Sequence, residues 1–221
     1  MPTYQHKKTG ERFFFVHIPR TGGRFFESNL DQNGWVVEQD NIWERVEGAE
    51  VAHFPRELYE KHLDIKDIPH LSIIRNPIDR FFSASIYLKR IYGVDVQKKA
   101  EDNEQFFSML ENLEEECFNW YRPQVDFLSQ KTQIWKYEDS LGHNFEKWLA
   151  EVLETPIHID AFAEYVTDVD EGVNKLDKTS RLLDNVRRFC RKDIEQLYPE
   201  LATPFEEGAK ANLKTPSTKK C

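Results

Sequence analysis

Hydrophobic and polar positions follow two rhythms along this chain. Residues 12–18, Arg-Phe-Phe-Phe-Val-His-Ile, form a dense aromatic and β-branched run and predict a buried strand. Pro19 to Gly23 breaks that run, and the spacing from Arg24 to Leu30 predicts the start of a helix. Short strands are predicted at 34–38, 50–54, 70–74 and 133–137. A helix is predicted at 55–62, opened by Pro55 at a favoured first position. Another is predicted at 77–92, where Ile78, Phe81, Phe82, Ser85 and Ile86 recur at helical spacing after Pro77. Helical patterns also cover 104–114, 117–129 (with a break at Arg122-Pro123), 145–153 and 180–198. Residues 206–221 lack periodicity and read as a flexible tail. Strands alternating with helices predict one α/β domain over 1–205, with a central, mainly parallel sheet flanked by helices in three layers.

Composition narrows the class. The chain has 221 residues, and its 13% aromatic content excludes a disordered protein. No apolar run reaches the ~20 residues of a membrane span. Cys117, Cys190 and Cys221 make neither a disulfide framework nor a zinc pattern, so a soluble protein of a reducing compartment, the cytoplasm, is expected. No metal is implied, because no His, Asp or Glu cluster has ligand spacing.

A net charge of −9 argues against nucleic acid as a partner. The charge is uneven. Seven acids fall within 98–116, a solvated helix face by its pattern, and seven bases within 174–192. A small anion can therefore still be held locally.

Two segments have the chemistry to hold one. A strand, then Pro19-Arg20-Thr21-Gly22-Gly23, then a helix offers unpaired amides and backbone close to a ligand. Arg20 and Arg24 add charged donors, and Thr21 a hydroxyl. Taken by itself, the glycine pair is explained at least as well by a tight turn with surface arginines. The Walker pattern is absent. The second segment is Arg75-Asn76-Pro77-Ile78-Asp79-Arg80-Phe81-Phe82-Ser83. At the carboxyl edge of a parallel sheet, Arg75 and Ser83 can face a ligand crevice. Arg75 paired with Asp79 in an ordinary strand-to-helix turn is the competing explanation.

Together these segments resemble the sulfotransferase superfamily, in particular its carbohydrate sulfotransferase branch. That family's His-Ile-Pro-Lys-Thr-Gly-Gly-Thr-Ser is His17-Ile18-Pro19-Arg20-Thr21-Gly22-Gly23-Arg24-Phe25 here, and its Arg-Asp/Asn-Pro-x-x-Arg-x-x-Ser is matched in full from Arg75 to Ser83. Weaker echoes follow in the family's order at Arg122–Leu128, Trp135–Asp139 and from Asn174 through Lys178-Thr179 into the last helix. The resemblance implies a P-loop-like fold and 3′-phosphoadenosine 5′-phosphosulfate (PAPS) as donor. The 5′-phosphosulfate would be cradled by Arg20, Thr21, Gly22, Gly23, Arg24 and Phe25, and the 3′-phosphate by Arg75 and Ser83. Lys178 and Thr179 would lie near the cofactor. The acceptor implied is a hydroxyl of a carbohydrate or small molecule.

Two departures stand out: Arg20 replaces the family lysine, and Arg24-Phe25 replace Thr-Ser. Arginine keeps the charge and can offer two donors to a sulfonate, but it is a poor proton donor.

Sulfonate transfer also needs a base for the acceptor hydroxyl. His53, in Val-Ala-His-Phe-Pro, is the first candidate, set against a capping or buried neutral ring. Glu27, Glu57 and Glu138 are alternatives, with Glu138 reading more as a structural carboxylate, and His17 reads as structural. The competing functions are a P-loop nucleotide kinase and a non-catalytic nucleotide-binding relic of the same fold.

Overall fold

The computed structural model describes residues 1–39, 41–92, 119–160 and 180–202. Five strands make the main sheet: β1 (Thr3–His6), β2 (Arg12–Phe15), β3 (Trp35–Val37), β6 (His70–Ile74) and β7 (Thr132–Lys136), in the order β3-β1-β2-β6-β7. β2, β6 and β7 run parallel, while β1 pairs antiparallel with both β2 and β3. The fold is therefore mixed α/β, and the sheet is evenly mixed rather than mainly parallel. β1, which the hydrophobic pattern does not announce, supplies both antiparallel pairings.

The aromatic run of β2 works because alternate side chains serve opposite faces. Phe13 and Phe15, with Leu71 and Ile73 of β6, pack on Phe26 and Leu30 of helix α1 (Gly23–Gln32) and on Phe145 and Leu149 of α4 (His143–Val152). Phe14, Val16 and Ile74 face the other way, against Leu58 and Tyr59 of α2 (Arg56–His62), Phe127 and Tyr198. A third cluster joins Phe81 and Phe82 of α3 (Pro77–Tyr92) to Leu182 and Val186 of α5 (Ser180–Phe189) and Ile194 of α6 (Arg191–Leu197).

Four expected elements take other forms. The strand expected at 50–54 is a small hairpin, β4 (Arg45–Val46) with β5 (Ala49–Glu50), followed by a 3₁₀ turn at Val51–His53. Its bend uses Glu47 and Gly48, both at positive φ (52° and 85°), the backbone that closes two-residue hairpins. Pro55 caps α2 from outside rather than opening it.

The expected helix at 117–129 is, in its described part, helical at Asn119 and from there a loop with one 3₁₀ turn at Gln124–Asp126. Side chains capture the backbone groups a helix would need. Arg80 takes the carbonyls of Asn119 and Arg122, and Asp193 takes the amides of Gln124 and Val125. The long helix expected at 180–198 is two helices, α5 and α6, broken at Cys190, whose ψ is 8°. The patterns at 104–114 and 206–221 lie outside the described residues. No helix among the described residues is long and apolar enough to cross a membrane.

Arg80 is 3% exposed. Its guanidinium donates to Pro19 O (2.9 Å), Arg122 O (2.9 Å) and Asn119 O (3.2 Å). Burial pulls its pKa down to about 10, and the nearby Asp193 opposes that shift. Substituting Arg80 strands three buried carbonyls and leaves Asp193 without its cation. Arg80→Ala is expected to lower stability by about 3–5 kcal/mol, read from urea unfolding of the full chain.

Candidate functional site

The parallel strands β2, β6 and β7 send their following loops to the same edge of the sheet, so the site is assembled there. After β2, Val16 N still pairs with Leu71 O (2.7 Å), and the chain then turns through Pro19 and Arg20. Thr21 is fully buried and its hydroxyl donates to Ile18 O (2.8 Å), which closes the loop on itself. Arg20 adopts a left-handed backbone (φ 69°), and Gly22 (φ 99°) caps α1 in the same region.

Phe26 N to Gly22 O (3.1 Å) is the first bond internal to α1. The earlier amides of that turn are thereby left to the loop side, where a helix start carries partial positive charge. Gly23 is required by contact rather than by dihedral: a Cβ there would lie 2.0 Å from His17 Nε2.

After β6 the second segment builds its own turn. Asn76 Oδ1 accepts from Ile78 N (3.0 Å) and Asp79 N (3.4 Å), so Asn76 caps α3 and Pro77 opens it. Arg75 is held by its backbone, where the Gln124 amide accepts from Arg75 N (2.9 Å) and donates to Arg75 O (2.8 Å). Its guanidinium lies over the Tyr137 ring, 4.7 Å from the centroid, and Nη1 reaches Arg20 O at 3.5 Å. Arg20 Nε donates to the buried Ser83 Oγ (3.0 Å), and its guanidinium lies 5.1 Å from the Tyr87 ring centroid. The two segments singled out in the sequence thus touch through side chains 55 and 63 residues apart.

Arg24 and Phe25 occupy the first turn of α1, Arg24 exposed and Phe25 half-buried. Lys178 and Thr179 lie outside the described residues. Both carboxylate oxygens of Glu138 are engaged, Oε1 by Asn76 N (2.6 Å) and Oε2 by Tyr198 Oη (3.0 Å), which is a structural use. Glu27 and Glu57 are exposed on α1 and α2.

His53 is 5% exposed and closes the 3₁₀ turn after β5. Its carbonyl accepts from Asn119 Nδ2 (3.0 Å), and its Nδ1 lies 3.6 Å from Glu50 Oε2. Its ring meets those of His17 (5.3 Å between centroids), Trp120 (5.7 Å) and Trp43 (6.2 Å). Trp120 stacks on Tyr87 at 4.7 Å, and Tyr87 carries the Arg20 guanidinium. An unbroken line of rings therefore joins His53 to the loop after β2. Trp43, 61% exposed, forms its outer end.

Glu50, Trp43, Tyr87, Trp120 and Asn119 are the members that motif reading did not single out, whereas Gln124 falls within the Arg122–Leu128 echo. Two signals for them exist in the sequence. Ser83 and Tyr87 share a face of α3 at i,i+4 spacing, and Glu50 and His53 are three apart across one tight turn.

Comparison with protein-family models, curated proteins and solved structures finds no match for this chain.

The arrangement has the donors to hold two anionic groups side by side. Arg20 with the α1 amides can serve one, and Arg75 with Ser83 can serve the other. Among the described residues no group of three or more His, Cys, Asp or Glu could hold a metal ion.

Two outcomes follow from the packing around His17. Gly23→Ala drives a methyl into the imidazole and is expected to lower the melting temperature by several degrees. The His17 ring is half-buried, and desolvation, helped by His53 and nearby cations, holds its pKa well below the ordinary 6.5. A histidine depressed in the folded state contributes stability above its unfolded pKa and loses it as pH falls toward the folded value. Stability is expected to decline as pH falls below about 6.5, and His17→Gln to flatten that slope, in denaturant titrations between about pH 7 and 5.

Proposed function

We propose that this chain is a PAPS-dependent sulfotransferase that moves a sulfonate to a hydroxyl of a carbohydrate or small-molecule acceptor. The observation that carries this reading is the direct meeting of the two motifs, Arg20 Nε on Ser83 Oγ with Arg75 Nη1 on Arg20 O. Cations and a buried hydroxyl gathered from two loops suit a donor with separated phosphate groups. The donor, when bound, supplies an activated sulfonate on a good leaving group.

The residues then divide the work. Arg75 and Ser83 hold the 3′-phosphate, while Arg20, the first-turn amides of α1 and Arg24 face the 5′-phosphosulfate. His53 accepts the proton of the acceptor hydroxyl as that oxygen attacks sulfur in line. The bridging S–O bond breaks, and its electron pair leaves on the 5′-phosphate oxygen. Arg20 and the amides stabilise that charge, which is where most of the rate enhancement of such transfers arises. Arg20 can do this as a cation without giving up a proton.

Calorimetric titration with 3′-phosphoadenosine 5′-phosphate, against ATP plus Mg²⁺, tests the reading. The bisphosphate is expected to bind at least tenfold more tightly than ATP, and Arg75→Ala and Ser83→Ala each to weaken it by about tenfold or more. Preference for ATP would overturn the reading in favour of a kinase. Binding of neither nucleotide would overturn it in favour of a scaffold. With PAPS and an acceptor, Arg20→Ala is expected to lower kcat by about 10²- to 10³-fold.

A further inference from the structure

We propose that Glu50 is a positioning residue for His53, holding the imidazole in its Nδ1–H form so that the Nε2 lone pair is the one presented to the acceptor. The inference rests on the reading of His53 as the base. It starts from backbone geometry. Glu50 is the cap of the 3₁₀ turn that His53 closes, and in a 3₁₀ turn side chains three apart eclipse. The carboxylate is thus brought over Nδ1, with Oε2 at 3.6 Å. That is ion-pair range, longer than a hydrogen bond, and such contacts commonly tighten only when substrate is bound.

The hairpin exists at the right place to deliver it. Its two positive-φ residues return β5 onto β4 and leave Glu50 as the last ladder residue, opposite Arg45. The two carboxylate oxygens are divided. Oε1 faces Arg45 at 3.8 Å, and Oε2 faces His53. Arg45 is half-exposed, so solvent screens its claim on the carboxylate.

On the other sides the His53 ring meets His17, Trp43 and Trp120, and Asn119 holds its carbonyl. Of these neighbours His17 is titratable, and burial keeps it neutral. Glu50 is therefore the charged group facing the ring among these contacts. It accepts only, so it selects a proton on the nitrogen it faces. During transfer the acceptor O–H bond breaks and an N–H bond forms at Nε2. The new O–S bond forms as the bridging S–O bond breaks. The imidazolium then lies beside a carboxylate that stabilises it.

The test is nitrogen-15 spectroscopy of the full chain with labelled histidine, joined to steady-state kinetics with PAPS. Wild type is expected to show His53 as the Nδ1–H tautomer. Glu50→Gln, nearly the same size, can donate as well as accept and is expected to lose that preference. Its kcat is expected to fall about ten- to a hundredfold with KM for PAPS within about twofold. Glu50→Asp, which keeps a carboxylate, is expected to recover part of both signals, and His17 to keep its own spectrum throughout. An Nε2–H tautomer in wild type, or a Glu50→Gln protein unchanged in spectrum and kcat, would overturn the inference. A Glu50-dependent tautomer in a protein that binds no 3′-phosphoadenosine 5′-phosphate and turns over no PAPS would overturn the proposed reaction while upholding the pairing.

Discussion

A single buried cation holds the site's walls together. Arg80 sends its guanidinium donors to three backbone carbonyls, one in the loop after β2 and two in the segment before the Gln124 turn. Its helix, α3, also carries Ser83 and Tyr87. One residue therefore sets the spacing between the loop after β2, the helix that faces it and the Asn119–Arg122 stretch that supports His53. Burial of a charge is costly, and the cost is offset here by three hydrogen bonds and by Asp193. Asp193 passes the restraint on. It fixes the amides of Gln124 and Val125, and Gln124 fixes the backbone of Arg75. A low-dielectric network of this kind has one good arrangement, which is what a site made of loops needs.

The sheet explains why those loops meet. Parallel pairing of β2, β6 and β7 places three strand ends at one edge, and each is followed by a site residue: Arg20 after β2, Arg75 after β6, Tyr137 after β7. The antiparallel strands β1 and β3 extend the sheet beyond β2 and complete the apolar face under α1, where Tyr4, Phe13 and Trp35 pack together. They enlarge the core without occupying the edge where Arg20, Arg75 and Ser83 gather.

What could be read in advance was local. The β2–loop–α1 unit is written in a dense aromatic run followed by a glycine pair. The β6–α3 unit is written in Asn76-Pro77, a cap followed by a first-turn proline. Both units were legible for that reason, while the meeting of Arg20 with Arg75 and Ser83 is long-range and followed from the carboxyl-edge rule and the resemblance instead. The segment 119–129 was not, because its backbone is captured by Arg80 and Asp193 from 39 to 69 residues away, and local helical periodicity carries no trace of that. The stretch 50–54 looks like a strand because it is apolar, yet only Ala49 and Glu50 find a partner strand. The split at Cys190 likewise depends on a tertiary demand, since α6 must direct Asp193 toward the Gln124 turn. The ring line from His53 through Trp120 to Tyr87 unites residues from three separate segments, and nothing in their spacing announces it.

The left-handed backbone of Arg20 separates what is good for the fold from what is good for the site. Glycine would relieve a conformational penalty of about 1 kcal/mol at that position, and asparagine part of it. Either would also delete the cation that bridges to Ser83. The residue types that best suit the backbone at position 20 are therefore ones that break the contact between the two loops, so backbone comfort and the Arg20–Ser83 bridge pull on this position in opposite directions.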